Sequence, residues 1–296
     1  MVKIGVIGTR GGASSEWLAD VIQEKTGFRL LVDMDQVGLD LQRRTAIYKN
    51  IDLMDLDALM VKKIGARYSP DLLDRLEILR FLNKRGLPVF SSPQSMMQVV
   101  DRLSCTVTLQ LAGIPMPPTT VTEDLEQAKL AVHRYGQAVF KPLYTSKARG
   151  MRIIDDSPEM ETEIAAYKAE NSIMYIQKKI DLQGCDLGLA FLGGQYMTTY
   201  ARCNPGTSWN TTTVNGGKYK PYTPTKESID IATKAQSLFD LDFTCVDVAE
   251  TDQGPCVFEV SAFGGFRGIY EAQGLNAAEI FTRYVLDTLK AHKQKP

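Results

Sequence analysis

The chain is short of histidine. Only His133 and His292 occur in 296 residues. One lies in the helix-like stretch LEQAKLAVHRYG and the other in the basic tail AHKQKP, and both read as solvated side chains. A Ser-His-Asp hydrolase or a His-ligated metal enzyme therefore lacks its parts. Cysteine is also sparse: Cys105, Cys185, Cys203, Cys245 and Cys256 are odd in number and scattered, with no C-x-x-C pair. Reduced, mostly buried thiols are expected, not a disulfide frame or a zinc site. An excess of charge is missing too. Lys and Arg number 34 against 35 Asp and Glu, with a pI near 6.2, so nothing electrostatic points to nucleic acid or an anionic membrane. No apolar run approaches the roughly 20 residues of a membrane span, and the opening VKIGVIG is strand-like, with no signal-peptide pattern. A cytoplasmic protein is expected, with chemistry that works by positioning and electrostatics.

A dinucleotide fingerprint is absent as well. The segment GVIGTRGG has Gly8, Gly11 and Gly12, but Val6 stands where G-x-G-x-x-G needs its first glycine. It reads as a glycine-rich strand-to-helix turn in which Arg10 is a candidate for facing a ligand. A nicotinamide-dependent oxidoreductase falls to last place on this spacing.

What the N-terminal third does have is alternation. KIGVIG, FRLLVDMD and DALMVKKIG read as strands. SSEWLADVIQEKTG reads as a helix with Ser14 or Ser15 as N-cap and Gly27 at its end, and SPDLLDRLEILRFLNKRG as an amphipathic helix leading to LPVF. Strands and helices in this order imply a parallel sheet. From about Pro93 the style changes. SPQSMMQVVDRLSCTVTLQLAG reads as one helix and IPMPPTTVT as a proline-rich entry to an edge strand. Then come the helix LEQAKLAVHRYG, strand QAVFKPLY, loop TSKARG, strand MRIID, helix SPEMETEIAAYKAEN and strand IMYIQKKI. Further strands DLGLAFLGG, QYMTTYARC, DFTCVDVAE and PCVFEVSAF follow, with helices near 226–240 and 276–291. This second part is α+β with antiparallel hairpins.

One carboxylate stands out. Glu259 sits inside the apolar run CVFEVSAF, and a lone buried carboxylate costs several kcal/mol unless it is paired or bound. DFTCVDVAE and PCVFEV are separated by TDQG, so they should form a hairpin. Pairing Glu250 with Cys256 sets Val248 against Phe258 and Asp247 against Glu259. Opposed carboxylates repel, and a hard divalent cation such as magnesium or manganese would turn repulsion into coordination. Ser261 shares the Glu259 face. A solvent-facing acidic pair on an edge hairpin would have the same pattern, and the hairpin alone leaves the two open. Lys141 in VFKPLY, at the end of an apolar strand, is placed either to be solvated or to meet a phosphate as a point charge. The loop TSKARG beyond it, with two hydroxyls, two cations and Gly150, would suit a triphosphate cover. YIQKKI leads to a connector whose backbone could read an adenine edge, with Asp186 close downstream as a candidate ribose partner.

The order of these pieces resembles an ATP-grasp ligase, and more narrowly the RimK-like group that adds glutamate or other amino acids to carboxylates. The resemblance runs from about DALMVKKIG to the last helix through VVDRL, AGIPMPPT, FKP, YIQ, GCD, the paired glycines of WNTTTVNGGK, CVDV and FEVSAFGGFRGIYEAQGLN. It implies an ATP-grasp fold in the α/β (α+β) class: an N-terminal parallel-sheet domain over 1–94, a central lobe over 95–180 and a C-terminal lobe over 181–296, the last two gripping ATP. It gives Lys141 a phosphate-binding and catalytic role and places Arg102 where the family has another phosphate-binding lysine. Gln177, Lys178 and Lys179 fall in the adenine connector and Asp186 at the ribose position. Asp247 and Glu259 match the magnesium-binding carboxylates, and Arg202 matches a basic position near the transferred phosphoryl group. The implied activity is that of a magnesium-dependent (or manganese-dependent) enzyme. ATP phosphorylates a small-molecule or peptide carboxylate, an amine or thiol attacks, and ADP and phosphate leave. The resemblance also implies a dimer or tetramer.

The chain departs from the family at several points. Ser261 stands where asparagine is the usual third metal ligand, and Ala262 where serine is usual. TSKARG holds few glycines. Gly188 stands where arginine is common, and Asn210, Thr211 and Thr212 replace an Arg-Ser-Asn stretch, with Asn210 and Thr212 kept in the nucleotide-binding set. The missing arginines point to an acceptor other than the usual acidic peptide or glutamate. Ser261 and these arginines also motivate a second reading, a non-catalytic or regulatory ATP-binding protein on a degenerate scaffold. The retained Asp247 and Glu259 favour the enzyme.

Overall fold

The N-terminal alternation folds as expected, with an addition. The computed structural model describes residues 1–204, 209–213 and 216–294, so positions 214–215 of the WNTTTVNGGK stretch and the end of the tail lie outside it. Strands β1 (Ile4–Ile7), β2 (Leu31–Val32), β6 (Ala58–Val61) and β7 (Val89–Phe90) form a parallel sheet in the order β2-β1-β6-β7. Helices α1 (Ala13–Thr26) and α2 (Asp71–Lys84) make the crossovers. Gly27 ends α1 in the left-handed region (φ 76°), its N–H donating to the Gln23 carbonyl. At the other end the N-cap is Gly12, not a serine, and no side chain caps the helix. In α2 the buried face is Leu72, Leu76, Leu79 and Leu82, the spacing of one helical stripe. FRLLVDMD yields only two strand residues. Beyond it, β3 (Val37–Asp40), β4 (Thr45–Tyr48) and β5 (Ile51–Asp52) form a small antiparallel sheet that the sequence reading missed.

The long helix expected after Pro93 is two helices, α3 (Pro93–Val100) and α4 (Arg102–Leu111). Asp101 breaks them. It is extended at φ −80°, ψ 108°, and its carboxylate accepts from the N–H groups of Leu103 and Ser104, which caps α4. Arg102 thereby becomes the first residue of α4, turned toward the middle of the molecule.

A four-stranded antiparallel sheet follows, built from β8 (Thr119–Thr122), β9 (Gln137–Lys141), β10 (Arg152–Asp155) and β11 (Met174–Lys178) in the order β10-β9-β11-β8. Helices α5 (Leu125–Tyr135) and α6 (Met160–Glu170) accompany it. Asp124 caps α5 through the Gln127 N–H at 2.8 Å, and Gly136 ends it at φ 73°. Their apolar faces close a core from Ala128 to Ile176 that includes Val132, Phe140, Ile164 and Tyr167.

The last part is a five-stranded antiparallel sheet in the order β14-β13-β12-β15-β16, from β12 (Cys185–Leu192), β13 (Gln195–Cys203), β14 (Lys218–Pro221), β15 (Phe243–Thr251) and β16 (Gly254–Ser261). Helices α7 (Lys226–Gln236), α8 (Phe266–Gln273) and α9 (Ala277–Gln294) complete the fold. Its core is shared with the N-terminal sheet. One buried cluster joins Ile7, Leu59 and Leu76 to Leu189, Val246 and Val260. A second joins Ile4 and Leu18 to Phe243, Phe266 and Phe281. Among the described residues no helix is long and apolar enough to cross a membrane.

Two expectations are corrected here. The β15–β16 turn is tighter than TDQG, since the ladder continues to Thr251 opposite Gly254, and Ala249, not Glu250, faces Cys256. A register shift beside Val248 then puts Val257 opposite Val248 and leaves Phe258 as the extra residue, so that Asp247 still meets Glu259. The cysteines are not all thiols: Cys185 and Cys203, directly opposite at the β12–β13 edge, form a disulfide with Cα atoms 4.2 Å apart. Cys105, Cys245 and Cys256 are free.

Candidate active site

Strand register builds a charged row across the C-terminal sheet. Arg202 on β13 lies opposite Asp186 on β12, Gly188 two residues further along β12 lies opposite Asp247 on β15, and Asp247 lies opposite Glu259 on β16. Side chains two apart share a face, so the four charged groups stand on one side of the sheet. Arg202 donates to Asp186 through Nε at 3.0 Å and reaches Asp247 Oδ2 at 2.9 Å. Thr211 adds a hydroxyl bond to Asp186. Glu259 is held from the other side, by Arg102 at 3.1 Å, and that guanidinium also donates to the carbonyls of Pro142 and Thr145 at the base of the TSKARG loop. The break at Asp101 is what aims Arg102 here.

Gly188 is required by its neighbour across the ladder. A Cβ at position 188 would stand 2.3 Å from Cζ of Tyr200, so the phenol ring occupies the space that a side chain on residue 188 would need. Tyr200 is buried, and its hydroxyl meets Cys245 Sγ at 3.4 Å.

Facing this row across a cleft of about 370 Å³ is the central lobe, and the cleft wall takes in Lys141, Gln177, Lys178, Lys179, Asn210 and Thr212. Lys141 is 9% exposed, and its ammonium donates to Gln177 Oε1 at 2.5 Å and lies 5.2 Å from the Phe258 ring centroid. None of the described ion pairs includes it. Burial, with Arg102 adding to the effect, pushes its pKa down to about 7. Gln177 is buried between Lys141 and Thr119, so its amide serves the lysine, while the backbone N–H groups of Lys178 and Lys179 are engaged with Pro118 and Gln137. Thr212 donates its hydroxyl to Asn210 Oδ1 at 2.7 Å. Met151, Ile180 and Leu182 give the cleft an apolar stretch.

Protonation on the sheet side follows from crowding. Burial pushes the Asp247 carboxyl up to about 7, with Arg202 pulling against the rise and Glu259 and Asp186 adding to it. Burial opposes the charge on Arg202, but Asp247 and Asp186 keep its guanidinium protonated well above the ordinary range.

The donor set fits a metal that arrives with a ligand. Asp247, Glu259 and Ser261 offer oxygen atoms only, which suits magnesium or manganese. Among the described residues there is no cluster of three or more His, Cys, Asp or Glu side chains able to hold an ion alone. Magnesium bound by one or two carboxylates plus substrate phosphates needs no more than this. Ser261 already accepts a bond from the Phe263 N–H at 3.4 Å.

The cleft thus unites Arg102, Lys141, Gln177, Lys178, Lys179, Asp186, Arg202, Asn210, Thr212, Asp247, Glu259 and Ser261. Three neighbours escaped the sequence reading: Tyr200, Cys245 and, just behind the wall, Lys62. The first two looked like ordinary core residues of strands. Lys62, directly after the fully apolar strand ALMV, was the one with a visible signal.

Comparison with known proteins identifies the family. The chain is 26% identical to the tetrahydromethanopterin:alpha-L-glutamate ligase of Methanosarcina acetivorans, over 98% of this chain and all of that one. It is 25% identical to a ribosomal protein bS6–L-glutamate ligase of Salmonella paratyphi B, over 78% of this chain and 77% of that one. Among solved structures, the ATP-grasp ligase PsnB complexed with minimal precursor superposes with a TM-score of 0.73 at 17% identity, covering 98% and 99% of the two chains. The RimK-like ATP-grasp domain matches residues 99–285. The chain belongs to the RimK-like ATP-grasp family.

Proposed function

We propose that the protein is an ATP-dependent ligase that joins a carboxylate to an amine, with ATP as phosphoryl donor and ADP and phosphate as products. The observation that carries the reading is one cleft in which Lys141, buried and in no described ion pair, faces the Asp186–Arg202–Asp247–Glu259 row. A buried ammonium with only an amide partner is matched to an incoming anion. In this reading Lys141 and Arg102 bind phosphate oxygens, Arg202 neutralises charge on the phosphoryl group in transfer, and Asp186 holds the ribose. Asp247, Glu259 and Ser261 hold the magnesium that enters with ATP. Bound magnesium would supply charge neutralisation and template the phosphates. Arg102 and Arg202 each hold one of the opposed carboxylates, which offsets their mutual repulsion. The substrate carboxylate, from a small molecule or a peptide, attacks the terminal phosphorus, and the amine displaces phosphate from the resulting acyl phosphate. No step needs histidine.

A non-catalytic ATP binder would have little use for an aligned carboxylate pair. The reading places the enzyme in the cytoplasm and, as in the resemblance, in a homo-oligomer. ADP release measured with magnesium-ATP against pools of carboxylic acids and amines, glutamate among them, tests it. Release that requires one acid and one amine together supports ligation. ATP binding with no ADP from any pool would turn the reading into that of a binder.

A further inference from the structure

Lys62 follows β6 in the N-terminal sheet, where its own N–H donates to the Ile7 carbonyl at 2.8 Å. Its side chain leaves that sheet and is 6% exposed. The ammonium ends on two backbone carbonyls of the C-terminal part, those of Phe263 and Gly264, the latter at 2.6 Å, and stands 4.1 Å above the centroid of the Phe266 ring. No described ion pair includes it. Burying an ammonium without a carboxylate is costly, and methionine would fill such a space as well. The charge therefore has work to do on those carbonyls.

The segment it grips is the turn directly after Ser261. Phe263, Gly264 and Gly265 line the cleft, and the turn is boxed on its other sides. A Cβ on Gly264 would stand 2.0 Å from the Phe243 ring, and one on Gly265 2.4 Å from the Tyr200 hydroxyl. The Phe263 N–H donates to Ser261 Oγ, so the turn and the hydroxyl move together. We propose that Lys62 is a positioning residue: reaching from the N-terminal sheet, it fixes the Phe263–Gly265 turn and through it the orientation of Ser261 and the end of the β16 carboxylate strand. The function of that strand rests on the ligase reading above, whereas the anchoring itself does not.

The test is Lys62→Met in the full chain, read by amide hydrogen exchange and by manganese binding to the protein with ADP. Losing two bonds from a charged donor should speed exchange across Phe263–Phe266 by about tenfold or more, while amides of β1 and β6 keep their protection. Manganese–ADP should bind about tenfold more weakly, and the ligase KM for magnesium-ATP should rise by a similar factor while kcat changes less. Phe266→Leu, which removes the ring and keeps the lysine, is the second variant and should loosen the same amides to a smaller extent. Unchanged exchange at 263–266 in folded Lys62→Met overturns the proposal, even where activity falls. If that variant does not fold, unchanged exchange in Phe266→Leu overturns it. Wild type that binds no manganese–ADP would sink the ligase reading and leave the exchange comparison to decide the anchoring.

Discussion

Asp247 lies directly opposite Glu259 across the β15–β16 ladder, and an extra residue, Phe258, is what brings them into line. Each is held by its own arginine, Arg202 at 2.9 Å for Asp247 and Arg102 at 3.1 Å for Glu259. The pair is crowded and compensated from outside.

Asp247→Asn should separate stability from turnover. A carboxyl raised to about 7 costs most above that pH, where it must ionise inside the fold, and costs little below about 3.8, where it is protonated in folded and unfolded chains alike. The neutral amide removes this cost and also loses the Arg202 contact. Urea unfolding at pH 8 should therefore show a net gain on the order of 1 kcal/mol, shrinking toward acid pH. ADP release should fall about a hundredfold or more. Normal turnover in a folded variant would remove Asp247 from the metal set.

Lys141→Ala should weaken ATP binding by about tenfold to a hundredfold, the worth of one charge-assisted contact. The fold should survive, because no ion pair is broken and Gln177 keeps its bond to Thr119 at 3.0 Å. Calorimetry giving the wild-type affinity would move the nucleotide elsewhere.

The Cys185–Cys203 bridge joins residues 18 apart in sequence, a loop whose closure is worth about 3 kcal/mol in the chain-entropy account. Because Cys105 and Cys245 are buried, alkylation in denaturant without reductant should modify three cysteines, and with dithiothreitol all five, as read by intact mass. Reduction should lower the Tm by several degrees. Five thiols alkylated in the denatured, unreduced protein would refute the bridge.

Lys62 should leave a mark on the pH dependence of stability. Burial lowers its pKa from the ordinary 10.5 to about 7, with Lys63 lowering it further and Cys245 opposing. A depressed lysine costs stability in full below about 7, and the cost fades as pH rises toward 10.5, where the unfolded chain loses the proton too. The stability of Lys62→Met relative to wild type should thus decline from pH 7 to pH 9, by at most about 1.4 kcal/mol per pH unit. A pH-independent difference would mean that the ammonium is not buried as described.

Local signals in the sequence were reliable where one residue settles the matter. Gly27 and the leucine stripe of α2 could be read directly, because helix ends and helical spacing are near-neighbour physics, whereas the N-cap read at Ser14 or Ser15 proved to be Gly12. Asp101 was equally local and was passed over inside an apolar run. The β3–β5 sheet was missed because its turns use no glycine: Arg44, Lys49 and Asn50 take the left-handed backbone themselves, at φ 60°, 46° and 64°. In the site, the Asp247–Glu259 pairing was legible from the hairpin, although the turn was set one residue off and the bulge restored it. Arg102 and Arg202 came only from family likeness, since their meeting with the carboxylates depends on register between strands and on a helix from another part of the chain. Tyr200 over Gly188 depends wholly on tertiary packing and left no spacing to read, and Lys62 after ALMV showed only a charge following an apolar strand, not its reach to the 263–264 turn.

The distribution of the buried clusters has a consequence for synthesis. The central lobe draws its core from Ala128 to Ile176 alone, whereas the N-terminal sheet shares its two clusters with residues as late as Ala262 and Leu289. As the chain leaves the ribosome, the first strands are made long before the residues that cover them, and the middle of the protein is the first part able to close its core. This reverses the usual N-terminal-first order. Stalled chains just long enough to bring residue 180 out of the ribosome should protect the amides of β9 and β11 from hydrogen exchange while those of β1 and β6 exchange freely. Until α9 emerges, the exposed apolar face of β1 and α1 would be the surface that a holdase chaperone must cover.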